Sequence, residues 1–253
     1  MKLDSVSQYV KYVSLKAENI YNYERFPLNL PVIRNFEKLR FHPNVTFIVG
    51  ENGMGKSTLL EGVAVALGFN PEGGSLNFNF SNYDSHSNLH EYLRIARGPF
   101  RSEDSFFFRA ESYYNVATHI EELDSEPQGG SKIVDSFGGK SLHQLSHGES
   151  FFAAFMNRFY GNGLYILDEP EAALSPLRQM SMLARIHELV NEGSQFIIST
   201  HSPIIMGYPN AKIIELTAEG MKETTLEETN HYQIMKQFFE DKGRLFHHLF
   251  NEG

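Results

Sequence analysis

The chain contains no cysteine. Disulfides, thiolate zinc sites and a cysteine nucleophile are thereby excluded. No apolar run approaches the roughly 18 residues that a membrane span requires. The opening stretch, Met1 to Gln8, lacks the apolar core of a secretory signal. These absences lead to the expectation of a soluble, cytoplasmic protein with no direct membrane insertion. Basic residues are the minority charge: 22 Lys plus Arg stand against 31 Asp plus Glu, a formal net charge of −9. Such a chain is not a bulk binder of nucleic acid or anionic lipid, so any contact with DNA needs a local patch. There is no internal repeat and no heptad run. With 253 residues the chain can bury a substantial core, as one large α/β domain or two small ones.

What is present centres on Gly50-Glu51-Asn52-Gly53-Met54-Gly55-Lys56-Ser57-Thr58. This stretch fits G-x-x-x-x-G-K-[ST]. The β-branched and aromatic run Val45 to Val49 before it reads as a buried strand. Thr58 to Leu67 after it reads as a helix stopped by Gly68. A Gly-rich turn carrying a chance lysine would not be expected to have both flanks. In this setting the backbone N–H groups of the loop and of the helix start point at phosphate oxygens. Lys56 is placed to reach the β- and γ-phosphates, and the Ser57 hydroxyl to bind Mg²⁺.

A second motif narrows the chemistry. Leu164-Tyr165-Ile166-Leu167 reads as a short buried strand feeding Asp168-Glu169-Pro170. Adjacent side chains at a strand end point to opposite faces. Asp168 is therefore assigned to the metal side and Glu169 to polarising an attacking water, the two needs of phosphoryl transfer to water. Gln195 to Thr200 is another buried strand, ending at His201-Ser202-Pro203.

Elsewhere, residues 9–16 alternate like an edge strand with one wet face, and Leu89 to Ala96 reads as a helix. Phe106-Phe107-Phe108 reads as a strand and Tyr113 to Leu123 as a helix. Pro- and Gly-rich stretches at residues 70–88 and 124–140 read as loops. Phe151 to Tyr160 and Leu177 to Val190 read as helices, Lys212 to Leu226 as a hairpin, and His231 to Phe250 as a helical tail. Strands alternating with helices predict a mostly parallel sheet.

Taken in order, GENGMGKST, LSHGES, LYILDEP, AALSP and STHSP resemble the ATPase domains of the ABC class, specifically the soluble RecF-like and SMC-head-like branch and the short bacterial ATPases labelled AAA family. The resemblance spans roughly residues 45 to 205. It implies a single ABC-type domain over residues 1–253: an α/β P-loop NTPase fold with a mostly parallel central sheet flanked by helices, an antiparallel N-terminal β part, and an inserted loop or helical subregion at approximately 70–145. It implies ATP and Mg²⁺ as ligands. It places Ser146, Gly148 and Glu149 in the signature motif, which contacts the γ-phosphate of ATP held by a second copy. His147 stands where a glycine is common. Ala173 to Pro176 matches the D-loop and His201 the γ-phosphate sensor. No Gln lies between the phosphate loop and residue 127, so Glu111 is the candidate for the missing Q-loop glutamine at Mg²⁺ or the attacking water. Tyr23, Phe26 and Phe36 are the aromatic candidates for adenine.

Arg94, Arg97, Arg101 and Arg109 form either a phosphate- or DNA-facing patch or, more simply, pairs with Glu91, Glu103 and Asp104. The pairs His86/His90 and His143/His147 have i, i+4 spacing but no acidic third ligand of the usual sort nearby for a metal. The resemblance implies an ATP-dependent homodimer acting on a protein client that no motif names, in DNA maintenance or phage defence. A transporter ATP-binding subunit is the alternative. The chain has no Asn-Lys-x-Asp guanine reader.

Overall fold

A computed structural model describes residues 1–76, 87–112, 116, 118, 120, 124 and 147–251. Its centre is a seven-stranded sheet in the order β10-β9-β3-β8-β7-β6-β4. Here β3 is Val45–Gly50, β4 Gly74–Ser75, β6 Asp104–Arg109, β7 Gly163–Asp168, β8 Gln195–Ser199, β9 Lys212–Thr217 and β10 Gly220–Thr224. The five strands from β9 to β6 run parallel, and only the edges β10 and β4 are antiparallel. Every residue of β3, β7 and β8 is buried. Strands covered on both faces lose alternation and read as unbroken apolar runs, which is why these were legible.

Two cores flank the sheet. On one face, Phe47, Phe106, Tyr165 and Phe196 meet α3 (His147–Arg158) and α4 (Pro176–Asn191) through Phe151, Phe155, Met182 and Ile186. On the other, Ile48, Phe107, Ile166 and Ile197 meet α2 (Lys56–Leu67) through Leu59, Leu60 and Val63. A separate antiparallel sheet, β2-β1-β5, closes this second core. It comprises β1 (Val10–Leu15), β2 (Lys38–Arg40) and β5 (Leu93–Arg97). Gln195, fully buried, fastens the two sheets. Its carboxamide accepts from the Val10 N–H at 2.9 Å and donates to the Val10 and His42 carbonyls at 2.9 and 3.0 Å.

Three expectations need correction. β1 is the middle strand of its sheet, not an edge, because β2 and β5 pair with it on its two sides from later in the chain, and none of its residues is fully exposed. Leu89 to Ala96 is a 3₁₀ turn, Asn88–Tyr92, followed by β5, because Leu93 to Arg97 gains a strand partner in β1. The tail is two helices, α6 (Asn230–Glu240) and α7 (Lys242–Asn251), with Asp241 outside helical geometry between them. The remaining helices are α1 (Pro31–Arg34) and α5 (Pro203–Met206). Of the stretch from Tyr113 to Leu123, Val116, Thr118 and Ile120 are described and helical. Residues 77–86 and 125–146 lie outside the described residues, so the two loop readings are addressed only at their margins.

Tyr165 anchors the first core from within. Its ring stacks on Phe159 at 4.3 Å between centroids, with the two ring planes nearly parallel. Its hydroxyl accepts from the Tyr160 N–H at 2.8 Å and lies 2.8 Å from Asp104 Oδ2 and 2.7 Å from the Tyr160 carbonyl. Asp104 Oδ2 also takes the Arg158 guanidinium at 2.9 Å. Burial, seconded by Asp104, pushes the phenol's pKa up. Replacing Tyr165 by Phe keeps the ring but orphans buried polar atoms. We expect a loss of about 1–3 kcal/mol of unfolding free energy, read as a lower urea midpoint with unchanged slope. An unaltered midpoint would show the hydroxyl cluster to be energetically neutral.

Candidate functional site

The phosphate loop leaves β3 at Gly50, whose φ is +141° and whose hypothetical Cβ would lie 2.6 Å from the Leu216 carbonyl. Only glycine fits there. Gly55 takes a left-handed conformation (φ +91°) as N-cap of α2, with Leu30 and Val32 seated against it. The helix therefore begins at Lys56, and the N–H groups of its first turn have no intrahelical acceptor. Those free amides and the positive end of the helix dipole form an anion seat. Lys56 is 4% exposed. Its ammonium folds back across the loop and donates to the Gly50 and Glu51 carbonyls at 2.9 and 3.0 Å. Burial lowers its pKa, and Glu169, Asp168 and Glu171 oppose that shift.

β7 ends at Asp168, beside both β6 and β8. Asp168 Oδ1 accepts from Ser57 Oγ at 3.2 Å and from Ser199 Oγ at 2.5 Å. One buried carboxylate thus ties the phosphate loop to the ends of two strands. Burial raises its pKa; Ser199, Arg109 and Ser57 pull the other way. A hydroxyl and a carboxylate in a dry site are hard oxygen donors, the chemistry that suits Mg²⁺, so Ser57 and Asp168 fit the metal expected of them.

Glu169 is separated from Asp168 by backbone conformation, not by strand alternation. It has φ +50°, and its N–H is held by the Ser199 carbonyl at 3.2 Å and Ser199 Oγ at 3.1 Å. This left-handed residue ends the strand and turns the second carboxylate toward His201, whose Nε2 lies 3.3 Å from Glu169 Oε1. Glu171 accepts the His201 N–H at 2.7 Å, and burial raises its pKa. His201 Nδ1 lies 3.0 Å from His231 Nε2.

The structure brings Lys56, Ser57, Asp168, Glu169 and His201 together. It adds Ser199, Glu171 and His231. Ser199 and Glu171 sit next to quoted motifs but carry no signal of their own. His231 lies thirty residues beyond His201 with no motif around it. Glu111 is placed otherwise: its side chain is 86% exposed and lies 3.6 Å from Arg109, apart from the bonds joining Ser57, Asp168 and Ser199. Arg109 in turn pairs with Glu61 at 2.6 Å. Arg94 pairs with Glu18 and Arg97 donates to the Leu67 carbonyl. Three of the four arginines thus have partners, though not the ones expected from sequence.

Ser146 lies outside the described residues, as do His86, His143 and the side chain of His147. Gly148 is buried, and a Cβ there would lie 2.1 Å from the Ala173 carbonyl. The start of α3 is therefore seated directly on the Ala173-Leu174-Ser175-Pro176 segment. Glu149 pairs with Arg178 of α4 at 3.3 Å. Ser175 caps α4 by accepting from the Arg178 N–H. Among the aromatic candidates for adenine, Phe36 is in the core, Tyr23 packs partly buried against it, and Phe26 is exposed.

A family model described as an AAA domain matches residues 14–145, and a second, described as an AAA ATPase domain, matches residues 150–206. The chain belongs to the AAA domain family. It is a P-loop ATPase, in agreement with its phosphate-loop motif. This AAA chain is 28% identical over 184 residues to the cobalt import ATP-binding protein CbiO of Salmonella typhimurium, covering 68% of this chain and 67% of that one. It is 29% identical over 131 residues to the retron Vc95 probable ATPase of Vibrio cholerae, covering 49% of this chain and 24% of that one. Among solved structures it is similar to cbiO1 from Clostridium perfringens, at 18% identity and a TM-score of 0.49 over 94% of this chain and 99% of that one. The SMC head domain from Thermotoga maritima gives 16% identity and a TM-score of 0.43 over 86% and 99%. Among the described residues of this AAA protein, no helix is long and apolar enough to cross a membrane.

Two outcomes check the site. Lys56→Ala should abolish ATP binding in equilibrium titration; unchanged affinity would place the nucleotide elsewhere. Asp168 binds its proton more tightly folded than unfolded. Stability should therefore fall as pH rises from the ordinary carboxylate value to the raised one, and stay reduced above it. Asp168→Asn should then raise the urea midpoint of the nucleotide-free protein at neutral pH, flatten that pH dependence and stop turnover.

Proposed function

We propose that this ATPase works as an ATP-gated clamp: two copies close on two ATP molecules, and hydrolysis releases them to act on a client protein. The observation that supports this reading is the convergence of Lys56, Asp168, Glu169 and His201 at the carboxyl ends of β3, β7 and β8. In this reading the loop amides of Gly50 to Thr58 cradle the phosphates, and Lys56 exchanges its two carbonyl partners for β- and γ-phosphate oxygens. Ser57 and Asp168 hold Mg²⁺, which supplies neutralisation of the phosphate charge when bound. Glu169 orients the attacking water and takes its proton as the oxygen bonds to the γ-phosphorus. The bond to the β–γ bridging oxygen breaks, and ADP and phosphate leave. His201 donates from Nε2 to a γ-phosphate oxygen.

The second copy enters through the signature turn. Ser146, Gly148 and Glu149 precede or open α3, where a hydroxyl and free helix amides suit an anion. In the clamp they meet the γ-phosphate held by the partner, so ATP bridges two chains and ADP does not. A bound state favoured only while that bridge exists is a population switch. DNA maintenance or phage defence as the setting rests on family analogy.

A second reading, an ATP-binding subunit of a membrane transporter, is favoured by the likeness to CbiO. The absence of a glutamine between the phosphate loop and residue 127 counts against it. Glu169→Gln should retain ATP binding, lose turnover by 10²-fold or more on the scale of general-base loss, and accumulate an ATP-bound dimer seen by light scattering after size exclusion. A normal rate would remove Glu169 as the base, and a monomer under saturating ATP would remove the clamp. Stoichiometric copurification with a multi-span membrane protein would establish the transporter reading instead.

A further inference from the structure

His231 is the least expected member of the site. It lies in the first turn of α6, outside every motif, and its Nε2 lies 3.0 Å from His201 Nδ1. Its position is fixed by a tightly bonded approach. Thr225 and Glu228 form a capping box around the turn Leu226–Glu228. Thr229, fully buried, donates from Oγ1 to the Leu226 carbonyl at 2.7 Å and caps α6 by accepting from the Tyr232 N–H at 3.3 Å. Leu226 packs on the first core. His231 also borders a cavity of about 210 Å³ lined by Gly50, Glu51, Met54 and Glu215 at the foot of the phosphate loop.

The protons of the pair can be placed by what faces them. His201 Nε2 is buried and has no hydrogen-bond partner; Glu169 Oε1 is close but off the line of a bond. A carboxylate and a phosphate oxygen are both acceptors, so only an N–H at Nε2 serves there. A neutral imidazole carries one N–H. If that proton sits on Nε2, then Nδ1 must accept, and the donor within reach is His231 Nε2–H. The reverse arrangement turns a lone pair toward the carboxylate and strands an N–H at His231 Nδ1, which also has no partner. Burial first, then His201 and Lys56, lowers the His231 pKa, while Glu215 and Glu51 oppose the shift. His231 thus tends to be neutral, with one proton to give.

We propose that His231 is a positioning residue for His201: by donating to Nδ1 it holds the His201 proton on Nε2, the nitrogen turned toward Glu169 and the terminal phosphoryl group. This rests on the reading of His201 as a γ-phosphate contact. It ties turnover to the placement of α6, an element that the phosphate motifs do not reach. An orienting partner on the far nitrogen is a general way to fix a histidine's tautomer.

The test uses the full chain. ¹⁵N shifts of the imidazoles in the unmodified protein, assigned by His201→Gln and His231→Gln, should show His201 protonated at Nε2 and bare at Nδ1; the opposite tautomer overturns the proposal. His231→Ala should lower kcat roughly tenfold or more, the scale seen for partners that orient a working histidine, with ATP affinity unchanged. His231→Gln, whose amide can donate from a similar reach, should recover to within about threefold of the parent if that donor is restored. The double variant His201→Ala/His231→Ala should turn over no more slowly than His201→Ala alone. Additive losses would overturn the coupling, as would a normal kcat in His231→Ala beside a slow His201→Ala. A normal kcat in His201→Ala would instead remove the role of His201 itself.

Discussion

The site depends on parallel register. β3, β8 and β7 lie side by side and run the same way, so their carboxyl ends emerge together although 111 residues separate Ser57 from Asp168. Side chains at those ends face one crevice, the usual place for a ligand in an open α/β sheet. Asp168 makes this arrangement a single unit. It binds a hydroxyl from the helix after β3 and another from the last residue of β8. If β8 slipped by one residue, Ser199 would lose Asp168 and Glu169, and His201 would leave the crevice. The double-sided apolar burial of β3, β7 and β8 opposes that slip, because a shift of one would exchange the faces presented to the two cores.

This arrangement holds charge where water is scarce. Burial raises the pKa values of Asp168 and Glu171 and lowers that of Lys56, so each of these groups is pushed toward its neutral form. Hydroxyls, a backbone amide and loop carbonyls offset part of that cost. In the proposed function, phosphate and a divalent cation would complement what remains, as an anion for the ammonium and a cation for the carboxylates. The left-handed Glu169 belongs to the same pattern: a non-glycine residue at positive φ is held there by two bonds from its N–H to Ser199.

What was legible in the sequence was contiguous. The glycine loop, Asp168-Glu169 and His201 each end a buried apolar run, and such runs need no knowledge of their neighbours to be recognised. What was not legible depended on partners far along the chain. β5 reads as a helix until β1 pairs with it, and β1 reads as an edge until β5 is known. Glu169 was separable from Asp168 in sequence for a reason that proved incomplete, since a positive φ has no reliable signature at glutamate. Glu171, Ser199 and His231 matter through contacts 30 or 31 residues away in the chain. Their residue types are ordinary and their local patterns silent.

The short run from Glu169 to Ser175 joins these levels. Glu169 faces His201, Glu171 holds the His201 amide, Ala173 seats Gly148, and Ser175 caps α4. Within it, the Ala172 N–H reaches the Glu169 carbonyl at 3.1 Å and the Leu174 N–H the Glu171 carbonyl at 2.8 Å. Overlapping turns of this kind leave little slack, because each closes on residues the other uses. The second of these turns spans Ala173, which seats Gly148. The contact there is with a glycine that admits no side chain, so it leaves no soft atoms to deform. Glu169 beside His201 and Ala173 beneath the start of α3 therefore lie on one stretch of five residues tied by two overlapping turns.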